Sequence, residues 1–523
     1  MIVIVNGTVI DGSGGPAFAG DVAVDGDRIT DVVRRGGGPP PRYDAETVDA
    51  AGCAVTPGFI DAHTHSDAYL LIEPDAPSKT SQGVTTEING QCGGSAAPRY
   101  GEARLSSDWA ALLGDRLIWR SLAEYRGALA AAKPAVNTVQ FVGHNTLRAS
   151  VVGYAGRAAT ADEIRRMCEL LGRSLDEGGW GLSTGLIYQP GKYATREEVE
   201  ALASAAAAHG AFYATHMRSE GDGIEAAIDE VIDLVKATGV RAEISHLKTS
   251  GRSNWGKIDA VLEKIEGAVA AGLLLGSDRY PYCAAGTDLD IVLPDWAQEG
   301  GAPAELARLE DSAQCARIAE EIDASGRDWK TVMIGGTWSG ENRRYSGRLV
   351  SEILAGGDGA ATPGEFVCGV LRSDGCRTGA FFFGMSEENL SKIYSRPWVV
   401  PGSDASLRAP WGPLGSDHPH PRAYATMPEF YRRVRSLGFS REETVRRMTS
   451  TVADRFGLIG RGRLKKGAFA DIVVWNESEF RGNATYSSPH LFSGGVKLTM
   501  VNGAVCYRDG AFTGVRGGRF LER

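Results

Sequence analysis

Ala54-Val55-Thr56-Pro57-Gly58-Phe59-Ile60-Asp61-Ala62 runs directly into His63-Thr64-His65-Ser66-Asp67. The first nine residues are largely apolar and do not alternate with polar ones, the pattern of a strand covered on both faces. The two histidines that follow are two apart, so on an extended segment they face the same way and can grip one ion. Working outward, seven more apolar runs of strand length appear: Val84–Asn89, Val136–Gly143, Gly181–Ile187, Ala211–Thr215, Arg241–Ser245, Leu273–Ser277 and Trp398–Ser403. Helical stretches lie between many of them, such as the alanine-rich Arg196–His209 and Ile224–Thr238. Strands that alternate with helices and are buried on both faces pair in parallel. Eight such units predict an α/β fold, a (β/α)8 or TIM barrel, over residues 57–460.

The chain ends differ from this middle. Residues 1–56 read as short strands with turns, Ile2–Ile10 ending in Asp11-Gly12 and Asp21–Val33 turning at Asp25-Gly26-Asp27. Residues 461–523 read the same way, with Asp471–Trp475 as a buried strand and Leu498–Tyr507 leading to Asp509-Gly510. Val5-Asn6-Gly7-Thr8-Val9 even resembles Val501-Asn502-Gly503-Ala504-Val505. Two β segments from opposite ends can close one small sandwich, since termini commonly lie close together. About 120 residues separate the seventh run from the eighth. That is far beyond a usual crossover. The sequence therefore predicts an insertion at about 290–356, as a cap over the barrel mouth or as an interaction surface.

Composition narrows the function classes. With 43% hydrophobic and 23% charged residues the 523-residue chain has an ordinary globular balance. A net charge of −9 argues against a nucleic-acid or anionic-membrane partner. Met1–Val5 is apolar but lacks a positive flank and is broken by Asn6-Gly7, so it reads as a strand and not as a signal peptide. No stretch approaches the ~18 apolar residues of a membrane helix. The eight cysteines are scattered without a Cys-x-x-Cys pair, which argues against a disulfide framework and for a reducing, cytoplasmic location.

In such a barrel the chemistry sits at the C-terminal ends of strands. The first run ends in His63 and His65, the second in Gly90-Gln91-Cys92-Gly93-Gly94, the fifth in Thr215-His216, the sixth in Ser245-His246 and the eighth in Gly402-Ser403-Asp404. A lone histidine after a strand is more often a hydrogen-bonded core residue, which is the preferred reading of His144 after the third run. Four of only nine histidines falling at strand ends is a different matter. Cys92 alone would be a small buried hydrophobe. Between glycines and among these histidines it reads as a thiolate ligand.

These motifs resemble the amidohydrolase superfamily, and more closely its N-acyl-D-amino-acid deacylase (D-aminoacylase) family. The resemblance covers nearly the whole chain, in family order. It is carried by Gly58–His65, Ser81–Thr86, Gly181–Leu186, Thr215–Arg218, Ile244–Lys248, Met385–Asn389, Gly402–Asp404, Pro419–Arg422, and Arg461–Leu464 with Gly467–Asp471. It implies a zinc-dependent hydrolase of N-acyl-D-amino acids, with one tight Zn2+ on Cys92, His216 and His246 and a second, weaker site on His63, His65 and Asp404. Asp404 would be the general acid and base. Lys248, Tyr282 and Arg422 would grip the carboxylate of a small N-acyl amino acid. Other branches of the superfamily use a carboxylated lysine after strand four, where this chain has Ser183-Thr184-Gly185-Leu186-Ile187-Tyr188. That speaks against a cyclic-amide hydrolase of the hydantoinase or dihydroorotase kind. The complete donor set speaks against a catalytically silent scaffold. Two departures from the family pattern lie near the expected substrate pocket. One is the longer Asp404–Arg422 segment with Trp411, Asp417 and His418; the other is Met427-Pro428-Glu429 in place of an aromatic-Pro-Arg run.

Overall fold

The computed structural model describes residues 1–36, 44–104, 107–114, 119–357 and 360–523. Eight parallel strands form one sheet in chain order: β1 (Phe59–Asp61), β2 (Val84–Asn89), β3 (Asn137–Gly143), β4 (Gly181–Gly185), β5 (Phe212–His216), β6 (Arg241–Ile244), β7 (Leu275–Arg279) and β8 (Val399–Pro401). Every residue of these strands except Arg241 is buried. Both faces of each strand are covered, and the buried set includes polar residues such as Thr86, Glu87, Gln140 and Glu243. The seam between β1 and β8 is closed just beyond the strands. Ala62 N–H donates to the Pro401 carbonyl at 3.1 Å and Asp404 N–H to the His63 carbonyl at 2.9 Å. Thr64 and Ala405 form a further parallel bridge.

The run Ala54–Ala62 is two strands, not one. Ala54–Pro57 belongs to another sheet, pairing with Ile2–Val9 and with Ile472–Trp475. The chain turns at Gly58 and only then enters the barrel as β1. A Cβ at Gly58 would lie 2.0 Å from Thr85 Oγ1, so no larger residue fits this corner.

The other sheet has nine strands and joins both chain ends, as expected of the small β-sandwich. Its apolar core includes Ile4, Val22 and Ile29 from the N-terminal part and Ile472, Leu498 and Met500 from the C-terminal part. Between β7 and β8, a three-stranded antiparallel sheet is formed by Ala285–Asp288, Gly379–Phe382 and Val332–Ile334. Helices Ala302–Glu310, Ser312–Ala324 and Pro363–Asp374 pack with it around Leu309, Ile318, Val367 and Leu371. The insertion thus extends on both sides of the 290–356 stretch and has its own core.

One buried charge ties the seam together. Lys79, fully buried, donates from Nζ to Asp61 Oδ2 at 2.9 Å, Ser403 Oγ at 3.0 Å and the Ala405 carbonyl at 3.1 Å. It also lies 3.1 Å from Glu87 Oε1. Asp61 Oδ1 in turn accepts the Ser403 N–H at 2.7 Å. The ends of β1 and β2 and the loop carrying Asp404 therefore share one cation. Removing it leaves two buried carboxylates without compensation. Lys79→Met is expected to lower the unfolding free energy by about 3–5 kcal/mol, read from the shift of the urea-denaturation midpoint. A loss below about 1 kcal/mol, the worth of an exposed pair, would contradict this reading.

Candidate metal centre and active site

The predicted donors all stand at the C-terminal rim. His216 is the last residue of β5, while His63, Cys92, His246 and Asp404 follow β1, β2, β6 and β8 within three residues. Three of them hold backbone φ in the left-handed region: Cys92 at 50°, His246 at 38° and Asp404 at 50°. Each such residue costs of order 1–3 kcal/mol and persists only where surrounding contacts over-determine it. Here the turn away from the strand direction brings the side chains to a common centre. Gly93, next to Cys92, has φ 79°, and a Cβ on it would meet Asn145 Oδ1 at 2.3 Å. The Ser183 hydroxyl, midway along β4, holds the same loop, accepting Gly93 N–H at 3.1 Å.

Cys92 Sγ lies 3.3 Å from His63 Nε2, 3.3 Å from His246 Nε2 and 3.7 Å from His216 Nδ1. Asp404 Oδ1 lies 3.0 Å from His65 Nε2 and 3.4 Å from His63 Nε2. Two groups result, Cys92–His216–His246 and His63–His65–Cys92–Asp404, each with its donor atoms within 4.8 Å of one another. Cys92 belongs to both, a sharing that the sequence did not suggest. Burial alone would raise the Cys92 thiol, but the charges of His63 and His246 hold it well below its ordinary value. The thiolate is the ligand form. A thiolate ringed by imidazole nitrogens, with a carboxylate beside it, fits a divalent metal of the zinc type.

A further layer orients these donors. His63 Nδ1 is 3.2 Å from Asp278 Oδ2, and Asp278 Oδ1 accepts the His246 N–H at 3.0 Å. His246 Nδ1 is 2.9 Å from Glu220 Oε1 and 2.7 Å from Lys248 Nζ. Glu220 Oε2 is 3.5 Å from His216 Nε2, and Oε1 pairs with Lys248. Burial pushes the Glu220 carboxyl up, but His216, Lys248 and His246 hold it well below the usual range. Neither acid was picked out in the sequence. Asp278, near the end of β7, was open to the rule that found the others. Glu220 sits in the loop after β5, four residues past His216, where no strand-end rule reaches.

Lys248 and Arg422 come to the site as expected. Arg422 Nη1 donates to Asp404 Oδ2 at 2.7 Å and Nη2 to the Gly286 carbonyl at 3.1 Å. Its guanidinium lies 4.6 Å from the Tyr280 ring centre, and Lys248 Nζ lies 5.8 Å from it. Tyr280 is fully buried and its hydroxyl has no hydrogen-bond partner among the described residues. Burial would raise that hydroxyl, but Lys248, Arg279 and Arg422 draw it below its ordinary value. Tyr282, two residues on, packs edge-on against His420 at 5.2 Å and Tyr486 at 6.3 Å. The Asp404 carboxyl, which burial would raise, is held well below the usual range by Arg422 and His246. His144 is engaged elsewhere, with Nε2 2.8 Å from Glu198 Oε1 and Glu198 paired to Arg148.

A cavity of about 280 Å³ opens beside the donors, lined by His65, Asp404, His420 and Arg422 on the barrel side and by Thr287, Trp338 and Phe381 of the insertion. Residues of the insertion therefore form part of the cavity wall. Asp417 and His418 stand on that wall, Asp417 pairing with Arg408 at 3.0 Å and His418 Nε2 lying 2.7 Å from the Tyr486 carbonyl oxygen. Met427 and Pro428 are buried inside the helix Arg422–Ser436.

The model of the amidohydrolase family matches residues 46–337 and 392–507. N-acyl-D-glutamate deacylase of Alcaligenes xylosoxydans xylosoxydans is 36% identical over 100% of this chain and 96% of its own length. The chain belongs to the N-acyl-D-amino-acid deacylase family of amidohydrolases. Solved structures of this family agree in fold. A D-aminoacylase whose binuclear metal centre shows one-metal activation and second-metal attenuation superposes with a TM-score of 0.82 at 35% identity, covering 100% of this chain and 99% of that one. N-acyl-D-glutamate deacylase from Bordetella bronchiseptica, complexed with zinc and a phosphonate mimic of the tetrahedral intermediate, gives 0.83 at 32% identity with the same coverage. The deacylase fold thus carries metal-dependent hydrolysis, and this chain is an amidohydrolase of linear amides. Removing one acceptor behind both histidines should loosen the metal. Glu220→Gln is expected to weaken metal binding about 10–100-fold, measured by chelator competition. Unchanged affinity would show that Glu220 does not orient His216 and His246.

Proposed function

We propose that this amidohydrolase cleaves the amide bond of N-acyl-D-amino acids, giving a carboxylate and a free D-amino acid. One observation carries the reading: Asp404 stands between the histidines of the donor groups and the Arg422 guanidinium, in one cavity. A proton-accepting carboxylate, a metal-donor set and a carboxylate-binding cation are thus within reach of one small molecule. The D configuration is supported by the likeness to the D-amino-acid deacylases. The tight zinc would rest on Cys92, His216 and His246, and a second, weaker one on His63, His65 and Asp404, with Cys92 close to both groups. When bound, zinc supplies a Lewis acid that polarises the acyl carbonyl and brings the pKa of the attacking water towards ~7.

The chain's own residues do the rest. Asp404 accepts the proton of the water that adds to the carbonyl carbon, then delivers it to the amide nitrogen as the C–N bond breaks. Arg422 and Lys248 hold the substrate's α-carboxylate, with the unpartnered Tyr280 hydroxyl as a third donor. Tyr282, the candidate from the family resemblance, supports this wall through His420. Arg422 has a double role, since in the structure it also fixes Asp404. Residues 57–460 carry this chemistry, and 1–56 with 461–523 form the supporting sandwich. The partner is the small-molecule substrate, with no nucleic acid or membrane surface required. Among the described residues no helix is long and apolar enough to cross a membrane. The eight free cysteines support a reducing cytoplasmic setting.

The test is a panel of N-acyl-D- and N-acyl-L-amino acids and hydantoins, with and without added zinc, on the native enzyme and on Asp404→Asn. Zinc-dependent turnover of the D-acyl compounds is expected. Asp404→Asn should keep the tight metal and lose about 10²–10⁴-fold in kcat. Turnover of the cyclic compounds alone would overturn the substrate class, and an unchanged kcat would remove Asp404 as proton carrier.

A further inference from the structure

His420 lines the substrate cavity and is only 5% exposed. Its hydrogen bonds fix its state. The Arg422 N–H donates to Nδ1 at 3.0 Å, so Nδ1 carries no proton. Nε2 lies 3.1 Å from the Ala284 carbonyl oxygen, which can only accept, so the ring proton is on Nε2. Tyr486 Oη stands 3.2 Å from the same nitrogen and is therefore a second acceptor. A second ring proton would point Nδ1–H at the Arg422 N–H. Burial and the Arg422 charge also hold the pKa of His420 well below its ordinary value. The imidazole is neutral, and neither nitrogen is left to carry a proton for the substrate.

Those bonds join segments that are far apart in the chain. Ala284 leads into Ala285–Asp288, the outer strand of the insertion's three-stranded sheet. His420 Nε2 donates to the Ala284 carbonyl, and Arg422 Nη2 donates to the Gly286 carbonyl at 3.1 Å. Carbonyls two residues apart on an extended segment point the same way. His420 and Arg422 thus grip one edge of the insertion with two donors. A Cβ at Gly286 would lie 3.4 Å from Arg422 Nη2 and 3.6 Å from His420 Cδ2, so the strand passes directly against both side chains. Rings from three segments hold the imidazole edge-on: Tyr282 after β7 at 5.2 Å, Phe381 of the insertion at 5.2 Å and Tyr486 of the C-terminal part at 5.0 Å. We propose that His420 is a positioning residue, a neutral bracket that docks the insertion onto the start of the helix Arg422–Ser436 and so holds the Arg422 guanidinium at the substrate's α-carboxylate. The inference rests on the reading of Arg422 as the carboxylate clamp. It also brings the C-terminal part of the sandwich, through Tyr486, against a residue of the cavity wall.

The test uses zinc-loaded enzyme and one substrate pair, N-acetyl-D-alanine against N-acetyl-D-alaninamide, which differ only in the α-carboxylate. In kcat/KM the wild type is expected to favour the acid by roughly 10–100-fold, the worth of a charge-assisted hydrogen bond. H420L removes both ends of the bracket and should lower that ratio about 10-fold, the worth of one net hydrogen bond. H420N keeps an acceptor for the Arg422 N–H but cannot reach Ala284, and should lower the ratio about 3-fold. A loss of folded enzyme, or a disturbance of Asp404, affects both substrates alike, so the ratio isolates the clamp. The thermal unfolding midpoint and the zinc content check that each variant is folded and loaded. A wild-type ratio near one overturns the clamp reading of Arg422 and the bracket with it. A large wild-type ratio that both folded variants keep overturns the bracket alone. A fold lost in both variants also overturns it, since His420 would then be a residue of the core.

Discussion

The structure turns on one thiolate. Cys92 Sγ stands within 3.7 Å of nitrogens from His63, His216 and His246, which arrive from three other strands of the barrel. An anion at that point lets several imidazoles converge without an apolar filler, and it makes the donor set attractive to a soft divalent ion. Much nearby geometry serves this convergence. Cys92, His246 and Asp404 accept left-handed backbone, Gly93 lets Asn145 approach, and Ser183 holds the loop from β4. The barrel's parallel strands make this possible because their C-terminal ends all open on one rim.

Around that centre the protein spends buried charge on orientation. Asp278 touches His63 and the backbone of His246, while Glu220 and Lys248 flank the other side of the His246 ring. Lys79 does for the barrel seam what these residues do for the imidazoles. It fixes the loop on which Asp404 is carried to the ends of β1 and β2. Buried ion pairs are weak sources of net stability and strong sources of specificity in some folds. At this rim they sit where a loop shift of an ångström would separate the donors.

Much of this was legible in the sequence, for a definable reason. Short strand-length segments without polar alternation recur between helical stretches, and the residues just after them are the rim. Reading strand ends therefore placed His63, His65, Cys92, His216, His246 and Asp404 together before any coordinates. What escaped depends on tertiary contacts. The break of Ala54–Ala62 at Gly58 is set by Thr85, far along the chain. Tyr280 and Tyr282 flank one proline, and nothing local says that the first turns to Lys248 and Arg422 while the second packs on His420. Glu220 lies in a loop whose path only the fold decides. The insertion's extent was missed because its flanking strands, Ala285–Asp288 and Gly379–Phe382, are only four residues long and join a separate three-stranded sheet.

Residues of the rim, His65, Asp404 and Arg422, and residues of the insertion, Trp338 and Phe381, line one cavity. The central claim is that Cys92 is a metal ligand and not a buried neutral thiol. X-ray absorption of the enzyme loaded with one zinc per chain tests it directly. The account predicts one sulfur at ~2.3 Å with nitrogen ligands at ~2.0–2.1 Å, the sulfur being absent in Cys92→Ser. A shell of nitrogen and oxygen alone in the wild-type protein would contradict it.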